Sequence, residues 1–351
     1  MAGLAIHRRA LLASSLALAA CAPRASSQTP VTIPPLKSVA PFPVGAAVQA
    51  MDLQEPDFAA LVAAQVSQLS PEWEMKMEYI LQPDRSLRFD RPDMIAAFAR
   101  QHGLRLFGHT LVWYAEKPDP WNDLGDADFR QAYADYIAAV VGRYRGQAVG
   151  WDVVNEAVTE EGEGWRGGVF SDRLGMLEHM RLAYQLAHEA DPGAPLYLND
   201  YYLESKPKKR AQFMKLAEAL LHAGAPLSGL GCQTHLAADL PSGAITAALK
   251  DLATLGLPIR ISEMDVSIVR GRGLMRSDDA LVAHQTELYR EAAHAFMGLP
   301  AHQRADFTFW GLEDSKSWLR RENGDDTPLL FDDAGRAKPA AAAWESGLRQ
   351  S

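Results

Sequence analysis

From Val44 onward the chain alternates short apolar runs of strand length with longer stretches whose apolar residues recur every three or four positions. The runs are "VGAAV" from Val44, "VSQLSP" from Val66, "RLFGHTLVW" from Arg105, "VGWDVVN" from Val149, "PLYLND" from Pro195, "SGLGCQTH" from Ser228, "PIRISEMD" from Pro258 and "DFTFWG" from Asp306. The intervening stretches carry helix signals. Asp90 and Pro92 open a helix that stops at Gly103; "DRLGMLEHMRLAYQLAHEADPG" from Asp172 predicts one amphipathic helix, and "KPKKRAQFMKLAEALLHAG" from Lys206 another that ends on Gly224. Strands separated by helical crossovers predict a parallel sheet. Eight such pairs predict an α/β fold of one closed (β/α)8 TIM barrel over residues 44–351. An open doubly wound sheet is the alternative, but no glycine-rich phosphate loop follows the first run. The segment "LLFDDAGRAKPAAAAWESGL" from Leu329 is expected to supply a last helix that seals the barrel.

The residues before this pattern read differently. A basic pair, Arg8 and Arg9, a short apolar core and small residues precede Cys21, which predicts an export signal over residues 1–20. The apolar stretch is too short to span a bilayer. "LAAC", Leu18 to Cys21, has the form of a bacterial lipoprotein box, so a lipidated Cys21 is expected to tie the exported protein to the cell envelope. Without acylation it would be periplasmic or secreted. The Pro-, Ser- and Thr-rich residues 21–43 are expected to be a tether. Past the leader only Cys232 remains, so the barrel has no intramolecular disulfide and must be held by its core.

Composition narrows the partners. The chain is 48% hydrophobic and 23% charged, as a globular protein of 351 residues with a large core should be. Its net charge of −9 would repel a phosphate backbone, which argues against nucleic acid, while a neutral ligand would be indifferent to it. A monomer is expected.

In such a barrel the active site lies at the C-terminal ends of the strands, so the residues that close each run are the informative ones. They are Glu72 and Lys76 after the second, His109 and Trp113 on the third, and Asn155 and Glu156 on the fourth. Asn199, Asp200 and Tyr201 follow the fifth, Gln233 and His235 the sixth, Glu263 and Asp265 the seventh, and Trp310, Asp314 and Trp318 the eighth. Glu156 and Glu263 stand out, because each ends a strongly apolar strand where an unpaired charge is costly to bury. Either one alone could be a structural ion pair or a helix cap. As a pair facing one cleft they could divide acid and nucleophile roles in glycoside hydrolysis.

The motifs "GHTLVW" (Gly108), "WDVVNEA" (Trp151), "LNDYY" (Leu198), "GLGCQTHL" (Gly229), "ISEMDV" (Ile261) and "FWGLEDSKSW" (Phe309) resemble, in order, those of glycoside hydrolase family 10. The resemblance implies a retaining endo-β-1,4-xylanase acting on xylan or xylo-oligosaccharides, with no cofactor and no metal. By motif it implies Glu156 as general acid/base and Glu263 as nucleophile. It also implies that Asn155 bonds the sugar 2-hydroxyl, that His235 orients the nucleophile, and that Gln233, His109 and Lys76 grip the non-reducing side. Trp113, Trp310 and Trp318 would offer faces to sugar C–H groups, with Glu72 and Tyr201 completing the binding set.

Two stretches depart from the family pattern. "EWEMKM", from Glu72, puts Trp73 where the family usually has an amide, and "WYAE", from Trp113, puts Tyr114 and Glu116 where it usually has His and Gln. Both fall on the glycone side, so altered glycone recognition is expected. Three other readings stay open: a lipid-anchored carbohydrate-binding barrel without catalysis, a glycosidase of other β-glycan specificity, and a metal hydrolase. Isolated histidines with no His-x-His or HExxH motif argue against the last.

Overall fold

Eight parallel strands close on themselves: β1 (Val44–Val48), β2 (Gln68–Pro71), β3 (Arg105–Trp113), β4 (Ala148–Asn155), β5 (Leu196–Asp200), β6 (Gly229–Cys232), β7 (Ile259–Ser267) and β8 (Arg304–Phe309). Each pairs with the next in chain order, and β8 returns to β1 through Val44–Phe307 and Gly45–Thr308, which completes the (β/α)8 barrel. The computed structural model describes residues 29–273 and 277–349. The expected export signal and Cys21 lie outside the described residues.

The strands are buried almost throughout, as expected for a parallel sheet covered by helices. Each outer helix turns one apolar stripe inward; Asp126–Arg143, for example, buries Phe129, Tyr133, Tyr136, Ile137, Val140 and Val141. β3 and β4 approach closely because Gly108 has no side chain. A Cβ there would lie 2.1 Å from the ring of the fully buried Trp151.

Three expectations are revised. The run from Asp172 is two helices, Val169–Leu174 and Met176–Ala190, because Gly175 sits at φ 92°, a conformation that breaks a helix and suits glycine. The sixth run is interrupted after Cys232: Thr234 turns to φ 64°, and the chain pairs with β7 again only over His235–Ala237. The stretch expected to be a tether up to residue 43 is packed on the barrel in its last part. Leu36, in a short helix Leu36–Val39, is fully buried, and the Val31 N–H donates to the Ala337 carbonyl at 2.9 Å. The last helix, Pro339–Leu348, is present as the sequence predicts and seats Trp344 against Phe307 and Phe309 of β8.

Candidate active site

At the C-terminal ends of the strands a cleft of about 410 Å3 is lined by Lys76, His109, Trp113, Asn155, Glu156, Tyr201, Tyr202, Gln233, His235, Glu263, Arg270, Trp310, Trp318 and Glu322. Glu156 and Glu263 therefore face one space. They are joined along its floor by side-chain amides. Gln233 Nε2 donates to Glu156 Oε1 at 3.1 Å and to Asn155 Oδ1 at 3.2 Å; Asn199 Nδ2 donates to Asn155 Oδ1 at 2.9 Å and to Glu263 Oε1 at 2.6 Å. Asn199 can lie there because Gly231, opposite it on β6, has no Cβ; one would stand 2.2 Å from Asn199 Oδ1.

Glu263 is 4% exposed and close to two imidazoles. Its Oε2 lies 3.2 Å from His235 Nε2, and His235 Nδ1 lies 2.9 Å from Asp265 Oδ2. Burial alone would raise the Glu263 carboxyl. The His109 and His235 imidazoles and the Lys76 ammonium outweigh it and hold the group at about 2, so it stays ionised. Burial disfavours the His235 imidazolium, but Asp265 and Glu263 overcome this and raise the ring to about 10. His235 is thus a cation wedged between two carboxylates.

Beneath this pair runs a buried chain of charge. His109 Nδ1 lies 2.9 Å from Asp152 Oδ2, Arg260 Nη1 reaches both Asp152 oxygens at 2.9 and 3.0 Å, and Arg260 also bonds Asp306. Four strands, β3, β4, β7 and β8, each contribute one member. With its Nδ1 on Asp152, His109 lines the cleft with its other nitrogen unbonded among the described residues.

Glu156 is held differently. Trp113 Nε1 donates to its Oε2 at 2.8 Å, and the Asn155 and Gln233 amides approach Oε1 at 3.3 and 3.1 Å. All are neutral donors. Its backbone is at φ 58°, which costs a non-glycine residue roughly 1–3 kcal/mol and turns the side chain off the end of β4. The next strand pins that turn: the Glu156 N–H donates to the Asn199 carbonyl at 2.8 Å, and the Val158 N–H to Asp200 Oδ2 at 3.0 Å. Asp200 faces the fully buried Lys209, 2.8 Å away; burial raises its carboxyl to about 6 against the pull of that ammonium.

Three donors of metal-ligand type, on His109, Asp152 and Glu263, lie within 4.8 Å of one another. They are engaged with one another and with the protein: His109 Nδ1 is on Asp152, Asp152 is also bonded by Arg260, and Glu263 by Asn199 and His235.

This arrangement fits comparison with known proteins. The profile of glycosyl hydrolase family 10 matches residues 36–346. The chain belongs to that family. It is 33% identical over 336 residues to endo-1,4-β-xylanase A of Cellvibrio japonicus, covering 87% of this chain and 55% of that one; the chain thus spans little more than half of that relative. It is 34% identical over 329 residues to a β-1,4-xylanase of Dictyoglomus thermophilum, covering 89% and 90%. The structure of a thermostable mutant of a Cellvibrio japonicus xylanase superposes with a TM-score of 0.82 at 32% identity, covering 89% of this chain and 99% of that one. Xylanase 10B of Thermotoga maritima gives 0.81 at 28%, covering 90% and 98%.

Of the residues given a catalytic or binding role by motif, Glu72 alone is not brought into the cleft lining. Its carboxylate is taken by Arg321, from the helix Trp318–Asn323. Of the other strand-end residues, Asn199, Asp200 and Asp265 stand behind the lining as partners of its residues or of the turn at Glu156, and Asp314 is paired with Lys338 at 2.8 Å. The departures are also accounted for. Glu116 is buried and accepts the backbone N–H groups of Met77 and Glu78 at 3.0 and 2.8 Å, so it closes the turn after β2 instead of reaching into the cleft. Burial raises its carboxyl to about 7. Trp73 packs edge-on to Tyr79, and Tyr114 lies under the Arg166 guanidinium, 4.1 Å from its ring. Sequence reasoning missed Tyr202, Arg270 and Glu322 in the lining. Tyr202 is the last residue of "LNDYY", and its φ of 58° repeats the turn seen at Glu156. Arg270 and Glu322 sit on segments with no run to mark them.

Proposed function

We propose that this protein is a retaining endo-β-1,4-xylanase in which Glu156 is the general acid/base and Glu263 the nucleophile. The observation that carries this reading is the contrast between the two carboxylates in one cleft. Glu263 is held as an anion by Asn199, His235 and nearby cations, while Glu156 receives only neutral donors. In the first step Glu263 attacks the anomeric carbon as Glu156 protonates the departing oxygen; in the second, Glu156 takes a proton from water that releases the sugar from Glu263. Asn155, next to Glu156 and bonded by Gln233 and Asn199, is placed to meet the 2-hydroxyl as charge builds on the ring.

Xylan as substrate rests on the family and on relatives named as xylanases. Altered glycone recognition is part of the same proposal. With Glu116 turned onto backbone, Glu72 held by Arg321 and Trp73 on Tyr79, the polar grip on that side falls to Lys76 and His109, beside Trp113. A proton spectrum of early hydrolysis of xylotetraose tests the reaction: retention puts the new reducing end first in the β form, whereas first appearance as the α form refutes it. Export and anchoring through Cys21 complete the proposal. The membrane-bound fraction should be lost in Cys21→Ala.

A further inference from the structure

Xylan's backbone is uncharged, yet the cleft lining includes a guanidinium that the hydrolytic reading does not use. Arg270 is only 29% exposed on its side chain and lies 4.8 Å over the Trp318 ring, itself fixed by a 2.8 Å bond from Nε1 to Asp265. Its root is rigid. The Arg270 N–H donates to Ser267 Oγ at 2.9 Å, and the buried Asp326 carboxylate accepts from the Ser267 hydroxyl, the Ile268 N–H and the Val269 N–H. An arginine whose backbone is anchored this way loses little freedom on binding a ligand.

The guanidinium has one carboxylate partner among the described residues, Glu322, whose Oε2 lies 2.8 Å from Nη2. Glu322 is half exposed on its side chain, and an ion pair so open to water is weak and exchangeable. An arginine fork carries five donors and can serve two carboxylates, so Nε and Nη1 remain to meet a second anion. The chain as a whole is negative and would repel one, so attraction has to come from a local cation. Of the other cations lining the cleft, His235 is taken up by Glu263 and Asp265, and Lys76 is at the Trp113 ring and belongs to the surroundings of Glu263.

We infer that Arg270, braced on Trp318 and anchored through Ser267 and Asp326, is a subsite for a carboxylate-bearing sugar branch, and that this enzyme prefers uronosyl-decorated xylan. Glu322 sets the threshold by occupying part of the guanidinium until the branch arrives. The inference rests on the hydrolase reading for the identity of the polymer, but its test reads affinity and not turnover.

The test uses the full chain carrying Glu263→Gln. Binding is measured by calorimetry for xylotetraose with one glucuronosyl branch and for the same oligosaccharide after its carboxyl is reduced to the alcohol. The charged ligand should bind about tenfold more tightly, the increment of one charge-assisted contact. Adding Arg270→Gln should bring the ratio to about one, whereas adding Glu322→Gln should raise it. A ratio near one before Arg270 is changed, one that survives Arg270→Gln, or one lowered by Glu322→Gln overturns the proposal. Cleavage of linear xylotetraose by the unsubstituted enzyme is scored separately. Its absence removes the hydrolase reading, while the affinity ratio decides the subsite.

Discussion

The two halves of the cleft are built by different means. Around Glu263 the protein uses charge: a cationic His235 between two carboxylates, and behind it the buried run His109–Asp152–Arg260–Asp306. Around Glu156 it uses neutral donors and a backbone held in a left-handed turn by β5. A carboxylate fixed as an anion suits attack at carbon, and one free of cationic partners suits carrying a proton. In the proposed mechanism the same residue type takes two roles by its surroundings.

Neutralising each carboxylate in turn should have the largest effect. Glu263→Gln should lower kcat on every substrate by on the order of 10⁴-fold or more, since nothing else can form the bond to carbon. Glu156→Gln should lower hydrolysis of xylo-oligosaccharides by roughly 10²–10⁴-fold. It should slow the first step much less on aryl xylobiosides whose leaving group needs no proton, read as a burst of phenol. Equal losses of that burst in both variants would erase the distinction.

Next in size is the charged half. His235→Gln removes one of the groups that hold Glu263 down, so the Glu263 carboxyl rises and the acid limb of kcat/KM moves to higher pH. An unmoved limb would separate His235 from the nucleophile. The same variant tests linkage. Because His235 is raised from 6.5 to about 10 in the fold, its stabilisation is complete below 6.5 and is lost as pH climbs through 10. Melting between pH 6 and 10 should therefore fall more steeply in the parent than in His235→Gln.

The neutral half is sharpened by two lysines. Lys209→Met leaves Asp200 buried without its partner and should cost about 3–5 kcal/mol in urea unfolding. Lys206→Ala breaks contacts to Glu160 and Glu161 that are largely in water, and should change stability by about 1 kcal/mol or less with kcat unaltered. Similar costs for both would mean that burial of the Asp200–Lys209 pair is not what fixes the turn at Glu156.

Much of this was legible in the sequence because barrel geometry converts position into function. A polar residue that closes an apolar strand run emerges at the mouth, and Asn155, Glu156, Gln233, His235 and Glu263 did so. Legibility failed where side chains choose partners across the fold. Asp152, Arg260 and Asp306 are spread over three strands, and no local period marks charges that neutralise each other inside a barrel. Glu72 and Glu116 were placed correctly along the chain, but Arg321 claims one and the Met77 and Glu78 N–H groups claim the other. The fold was read almost whole. Its errors came at turns, where Gly175 and Thr234 interrupt patterns that periodicity alone carries through.

The proposed mechanism requires a covalent bond between sugar and Glu263 during turnover. Incubating the enzyme with a 2-fluoro xylobioside that forms this intermediate quickly and releases it slowly, then mapping the adduct by peptide mass spectrometry, tests it most directly. The account predicts one added glycosyl group on Glu263 within "ISEMDV". A label on Glu156, or turnover of the reagent with inversion and no adduct, would contradict it.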